Sequence, residues 1–162
     1  MANNRVQLAD GTVLIDLTED TVTPMSLMSG ETAHGANGEP ITGELTIAAL
    51  GCGFGTCTTE DSVKLATLEG YNLTVGGTPT IKFTKDVQAN SSLNINDTGR
   101  KSIFLAQAGM LIPVAAGIIK AGDYVTFVYN GSAYIVQSIS RLVRIVSNYG
   151  NITSFSVEEV TS

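Results

Sequence analysis

The sequence predicts a mainly β protein, a short N-terminal module containing a hairpin followed by a larger antiparallel β-sandwich-like domain. Three observations lead there. Short runs rich in Val, Ile, Thr, Phe and Tyr recur along the chain. Turn clusters built on Gly, Asn and Asp separate them every 8 to 12 residues. Only 15% of the 162 residues are charged, against a usual fraction of about 25%, while Gly, Ser, Thr and Asn are abundant.

The first module runs over residues 1–50. TVLIDLT (12 to 18) is β-branched and apolar and reads as a strand. DTVTPMSLMSG places Pro24 in a turn or at a first helical position, with Leu27 and Met28 closing a short turn before Gly30. In AHGANGEPITG, Asn37-Gly38 signals a tight turn between paired arms, and Gly43 ends the second arm. Gly51, Gly53 and Gly55 then read as a glycine-rich joint over residues 51–56, because spaced glycines accept positive φ at little steric cost.

Residues 57–162 form the strand-dense domain. The expected strands are SVKLATL (62 to 68), TPTIKFT (78 to 84), SSLNIN (91 to 96), KSIFLA (101 to 106), DYVTFVY (123 to 129), AYIVQSI (133 to 139), LVRIVS (142 to 147) and TSFSVEEV (153 to 160). Ile81, Phe83, Leu93 and Ile95 alternate with polar neighbours and should face a core, together with Val125, Phe127, Ile135 and Ile145. Asn130-Gly131 joins two Val, Phe and Tyr-rich runs as a hairpin. GMLIPVAAGII carries Pro113, which opposes a central strand, so it is read as an extended edge and loop. A sandwich or a compact barrel-like sheet satisfies this pattern.

Charge and motifs exclude several function classes. A net charge of −6 without a basic stripe argues against nucleic acid as partner. The N-terminal residues lack an apolar leader core, and no apolar run reaches the roughly 18–20 residues that span a bilayer, so synthesis in the cytoplasm without a membrane anchor is expected. Cys52 and Cys57 lie close enough for a small disulfide loop, but a reduced pair is expected in that compartment. As metal ligands they lack partners: His34 is the single histidine and lies 18 residues upstream of Cys52, whereas structural zinc takes four ligands. The glycines at 51, 53 and 55 match no phosphate-binding fingerprint. Adjacent carboxylates at Glu19-Asp20, Glu60-Asp61 and Glu158-Glu159 point to opposite faces in extended chain and read as solvated turns. The Asn-x-Ser/Thr triplets at Asn72, Asn90, Asn96, Asn130 and Asn151 read as turn and strand-end residues. No catalytic constellation, metal site or cofactor is expected, and His34 is assigned to the architecture of the hairpin.

The stretch TVLIDLTEDTVTPMSLMSGETAHGANGEPITGEL resembles a module that recurs in virion proteins of phages and prophages of Gram-positive gut bacteria. That module has an LIDLT-DTVTP opening and a G-TAH-x-x-x-G-x-x-ITG hairpin. Ile15 to Thr18, Asp20 to Pro24, Gly30, Thr32 to His34, Gly38 and Ile41 to Gly43 carry the match, over roughly the first third of the chain. The stretch GTCTTEDSVKLATLEGYNLTVGGTPTIKFTKDVQANSSLNINDTGRKSI (55 to 103), with the later AGDYVTFVYNGSAYIV (121 to 136), resembles a β domain of phage fibre and tail proteins. It departs from that pattern at TTEDS (58 to 62), where an Ala-rich run is usual, and at NINDTG (94 to 99), where NVNGTG is usual.

The resemblance implies a non-enzymatic virion structural protein on the particle surface, a head fibre or capsid decoration protein made in the bacterial host cytoplasm. Attachment to another virion protein would use the N-terminal module, through Val13, Ile15, Leu17, Thr32, His34 and Ile41. The strand-dense part would be displayed outward, and fibres of this kind are homo-oligomers, often trimers. The alternative is a tail-fibre or baseplate adhesin that binds a host cell-surface glycan, with Tyr71, Tyr124, Tyr129, Tyr134 and Tyr149 as candidate sugar platforms. The absence of Trp weakens that alternative, and strand tyrosines are more often cross-strand packing partners.

Overall fold

The computed structural model describes residues 3–141, 143–146 and 156–159. The chain divides into two compact units, Met1–Thr46 and Ile47–Ser162. The first holds two separate two-stranded pairs: β1 (Arg5–Gln7) with β2 (Val13–Asp16), and β3 (Thr32–His34) with β4 (Pro40–Thr42). The second contains β5 (Gly53–Cys57), β6 (Val63–Thr67), β7 (Pro79–Phe83), β8 (Ser92–Ile95), β9 (Lys101–Gln107), β10 (Met110–Pro113), β11 (Tyr124–Tyr129) and β12 (Tyr134–Ile139). A further antiparallel pair, β13 (Val143–Val146) with β14 (Ser156–Glu159), follows them in the chain. Among the described residues no helix is long and apolar enough to cross a membrane.

The expectation of a mainly β chain holds, but hydrogen bonding closes the main sheet on itself. The order β9-β12-β11-β7-β5-β6-β8 returns to β9, giving a seven-stranded barrel, the closed one of the two arrangements the pattern allowed, in place of the sandwich-like domain expected first. Nor is it purely antiparallel: β5 with β7, β6 with β8 and β12 with β9 run parallel. Alternation of apolar side chains reports only that one face of a strand is buried, and that holds equally in a sandwich and in a barrel.

Closure occurs along one edge of β9. Ser92 and Leu93 of β8 pair with Ser102 and Lys101, and farther along the same strand β10 pairs with Phe104 to Gln107. The handover is at Ile103, whose N–H donates to the Ser91 carbonyl (3.1 Å) and whose carbonyl accepts from Val114 (3.0 Å). The segment GMLIP, expected as extended edge, is thus β10; Pro113, which has no N–H to donate, is its last residue, and the N–H of Val114 makes the next bond to β9.

Inside the ring, Ile81, Phe83, Leu93, Ile95, Ile103, Ile119, Val125, Phe127 and Tyr134 are fully enclosed. Each such side chain contributes on the order of 1.5–3 kcal/mol relative to exposure. Aromatic rings form a chain through this core: Phe83 meets Phe127 at 6.2 Å, Phe127 meets Tyr134 at 5.8 Å, and Tyr134 meets Tyr129 at 5.5 Å. The hydroxyls of Tyr71 and Tyr134 lie 3.0 Å apart, and burial raises the pKa of both. Lys64, on the inward face of β6, is also fully enclosed; its ammonium donates to the carbonyls of Thr59 (3.0 Å), Glu60 (3.1 Å) and Asp86 (2.7 Å). Three donors meet three acceptors, so no hydrogen of this buried cation goes unmatched.

The loop between β10 and β11 is fixed by charge. Asp123, almost wholly buried, accepts both arms of the Arg141 guanidinium fork, at 2.6 Å from Nε and 2.9 Å from Nη2, and the backbone N–H of Lys120 at 2.7 Å. Nearby, Asp86 accepts from the Ala121 N–H (2.8 Å) and from the Lys120 ammonium (3.0 Å).

The expected joint at 51–56 is not a joint. Gly53 and Gly55 belong to β5, and Gly55 faces inward, where a Cβ would stand 2.6 Å from the Thr67 carbonyl oxygen and 2.9 Å from Ile81 Cδ1. The glycine is needed for close approach of strands, a requirement that reads in sequence like a flexible spacer. The chain divides earlier, between Thr46 and Ile47. Of the other expectations, Tyr149 and Asn151 lie outside the described residues, as does the side chain of Ile145.

Two outcomes follow from this packing. Gly55→Ala, harmless in a flexible joint, is expected to lower stability by about 1–3 kcal/mol, read as a shifted urea midpoint with unchanged slope. Hydrogen bonds from Ala121 and Lys120 hold the Asp86 carboxyl below its ordinary pKa of 3.8. A depressed folded-state pKa contributes stability above the unfolded pKa and loses it as pH falls through the folded one. The stability difference between the native chain and Asp86→Asn should therefore be full at neutral pH and shrink below about pH 4; a difference that stayed constant down to pH 2 would contradict it.

Candidate functional site

The first unit is assembled from backbone, with almost no core. Among its described residues only Gly35, Gly38 and Gly43 are buried. β1 and β2 pair with a bulge between Val6 and Gln7, and every residue of both strands is exposed. Val13 (42%), Leu14 (57%) and Ile15 (49%) therefore present apolar side chains on both faces of one ribbon. The exposed Arg5–Asp16 contact at 3.5 Å across this pair adds little.

Main-chain hydrogen bonds hold the rest. Pro24 opens a 3-10 turn, Pro24–Ser26, as its first residue, and Ser26 Oγ accepts the Thr23 N–H at 2.9 Å. The strap that carries this turn, residues 20–31, is tied to residues 43–45: Leu45 donates to Leu27 (3.0 Å), Ser29 to Leu45 (2.9 Å) and Gly43 to Glu31 (2.8 Å). At Gly43 a Cβ would stand 2.5 Å from the Leu27 carbonyl oxygen and closer still to that of Met28, so only glycine lets the strap lie here. Asn4 Nδ2 donates to the Ala36 carbonyl (2.9 Å), joining the start of the chain to the β3–β4 turn.

Between these pieces lies an open groove of about 600 Å³, lined by Asn3, Ile15, Leu17, Asp20, Val22, Ala33, His34 and Gly38. It brings together three of the six residues singled out in sequence, Ile15, Leu17 and His34. Val13 lies beyond it on β2, opposite Gln7, while Thr32 pairs with Thr42 and Ile41 with Ala33 on the β3–β4 hairpin. His34 is exposed and sits opposite Pro40 at the end of β3. Val22 and Asp20 were not among those six; both belong to the DTVTP stretch, and only the fold of the strap carries them to the groove. Among the described residues no group of three or more His, Cys, Asp or Glu is placed to hold a metal ion.

The remaining candidates lie in the second unit. Cys52 is half-buried and Cys57 buried, both as free thiols. Because β5, Gly53–Cys57, is extended, the five chain steps from Cys52 to Cys57 place them about 16 Å apart, well outside disulfide reach. A hydrogen bond from Thr78 lowers the pKa of the Cys52 thiol. Of the tyrosines considered as sugar platforms, Tyr71, Tyr129 and Tyr134 are core residues. Tyr124 is exposed on β11 and packs against Phe54 of β5, ring centroids 5.7 Å apart. Phe54 went unrecognised because Gly53-Phe54-Gly55 reads as spacer; a large side chain between two glycines is also the alternation of a strand with a crowded inner face. A second, polar hollow of about 410 Å³ is lined by Glu60, Thr84, Lys85, Asp86, Gln88 and Ala121, and its charges are engaged in the Lys85–Glu60 and Lys120–Asp86 ion pairs.

No family model, curated protein or solved structure matches the chain.

Proposed function

We propose that the chain is a non-enzymatic structural protein of a phage virion, a head fibre or capsid decoration protein that attaches through residues 1–46 and displays the barrel outward. The observation that carries this reading is the contrast between the units. The barrel has a continuous buried apolar core, whereas among its described residues the first unit buries only three glycines and leaves Val13, Leu14 and Ile15 exposed on a ribbon beside a groove lined by Leu17 and Val22. An isolated two-stranded ribbon is marginal in water, and a module without a core gains stability by burying such side chains against a partner. The LIDLT-DTVTP and TAH motifs lie on this ribbon, strap and groove, which favours a virion protein as that partner. Self-association into a homo-oligomer, with a trimer as the expected form, belongs to the same reading. A tail-fibre or baseplate adhesin is the second reading; it rests on the exposed Phe54–Tyr124 pair.

The test supplies tagged variants to a phage that lacks this gene and measures the protein on purified particles. A fragment starting at Ile47 should fold, with cooperative thermal unfolding, and fail to attach. A fragment starting at Thr56 should not fold, because it loses the Gly53–Gly55 part of the β5–β7 ladder. Ile15→Asp should reduce attachment at least about tenfold by placing a charge in the apolar contact, with the barrel transition unchanged. His34→Gln should attach almost normally and shift stability by less than about 1 kcal/mol, since it sits exposed at a strand end. Normal decoration by the Ile47 fragment would overturn the assignment of attachment to the first unit.

A further inference from the structure

We propose that the outer barrel face formed by β5, β7 and β11 is a saccharide-binding platform built on the rings of Phe54 and Tyr124. Strand register sets two outward rows. One runs Phe54, Thr80, Thr126 and Ser138 across β5, β7, β11 and β12. The other runs Thr67, Thr56, Lys82 and Tyr124 across β6, β5, β7 and β11. The intervening Gly55, Ile81 and Val125 point inward and are buried, so both rows face solvent.

Each row ends in an aromatic residue, and the two rings meet above β7, 5.7 Å apart and inclined by 31°. Phe54 is 56% and Tyr124 42% exposed, large values for rings this close together. The Lys82 ammonium stands 5.5 Å from the centre of the Tyr124 ring and makes no ion pair among the described residues. Around the rings the rows hold hydroxyls, one ammonium and no carboxylate, in a chain whose net charge is −6. The Thr80 and Thr126 hydroxyls lie 2.9 Å apart; one donates to the other, leaving the second hydrogen and spare lone pairs for a ligand.

A pyranose has the complementary surface: an apolar C–H face that lies on an aromatic ring, and a rim of hydroxyls that both donate and accept. Alternative occupants fit less well. A protein partner needs about 800 Å² on each side with an apolar centre, and here the apolar part is two rings bordered by hydroxyls. Single-stranded nucleic acid also stacks on aromatics, but it brings one phosphate per nucleotide, and a lone lysine on an acidic chain cannot neutralise them. The rings sit on strands of a closed barrel, so little ordering cost opposes binding. Lys82 extends the choice to sugars that carry one carboxylate. This proposal gives the ligand class for the adhesin reading and rests on it through the same ring pair, while the attachment of the first unit is tested separately by particle decoration.

The test titrates the full chain with three tetrasaccharides, a maltotetraose, an N-acetylglucosamine tetramer and a uronate-containing hyaluronan fragment, followed by aromatic-region NMR and calorimetry. At millimolar ligand, at least one should saturate and shift the Phe54 and Tyr124 signals. Phe54→Leu and Tyr124→Leu, which keep apolar bulk on the strand but remove the ring face, should weaken binding about tenfold or more with unchanged thermal unfolding. Lys82→Met should weaken the uronate fragment more than the neutral ones. The proposal is overturned if none of the three shifts those signals, if binding survives both leucine substitutions, or if sedimentation shows that they dissociate an oligomer in which this face was covered by a second copy.

Discussion

The ladder between β8 and β9 is the contact on which the second unit depends. Two residue pairs, Ser92 with Ser102 and Leu93 with Lys101, join the ends of what would otherwise be an open sheet. Once they are made, the inward residues of seven strands share one interior, and the unpaired backbone edges that invite aggregation disappear from the ring. β9 can do this because its neighbour changes at Ile103 from β8 to β10, so the strand closes the barrel first and then continues into a hairpin outside it. The enclosure of Lys64 follows from the same closure: β6 lies beside β8, and its inward register places the lysine where only carbonyl oxygens can take its hydrogens.

The two units are stabilised by different physics. In the barrel, apolar side chains leave water and an aromatic chain from Phe83 to Tyr129 fills the centre. In the first unit glycines allow main chain to lie on main chain, and hydrogen bonds between strap and hairpin replace a core. Backbone hydrogen bonds each contribute only about 1 kcal/mol net in water, so such a module leaves its apolar side chains available for another surface.

The proposed tasks separate along the same line. The groove near His34 and the ribbon of Val13 to Ile15 are apolar and shallow, suited to a protein surface. The Phe54–Tyr124 face is a pair of rings among hydroxyls, suited to a small amphipathic ligand. Neither arrangement requires a titrating histidine. His34 occupies its position because β3 ends there, opposite Pro40 and one residue before a buried glycine.

Much of the strand pattern was legible in the sequence, since inward residues such as Ile81, Phe83, Leu93, Ile95, Val125 and Phe127 alternate with polar ones, and alternation is a local property. The Asn37-Gly38 and Asn130-Gly131 turns and the place of Pro24 were legible for the same reason, because turn chemistry depends on a few adjacent residues. The sequence alone also determined the motifs of the first module and the acidic, lysine-poor surface. Tertiary structure decided the rest. Whether strands stack as two sheets or close as one depends on partners distant in the chain, such as Leu93 with Lys101, which no local pattern encodes. It decided as well that Gly53-Phe54-Gly55 is a strand, that three tyrosines are core and one is surface, and that Ile15, Leu17 and Val22 share a groove with His34. Each of these is a question of which residues meet across space, and only the closed backbone answers it.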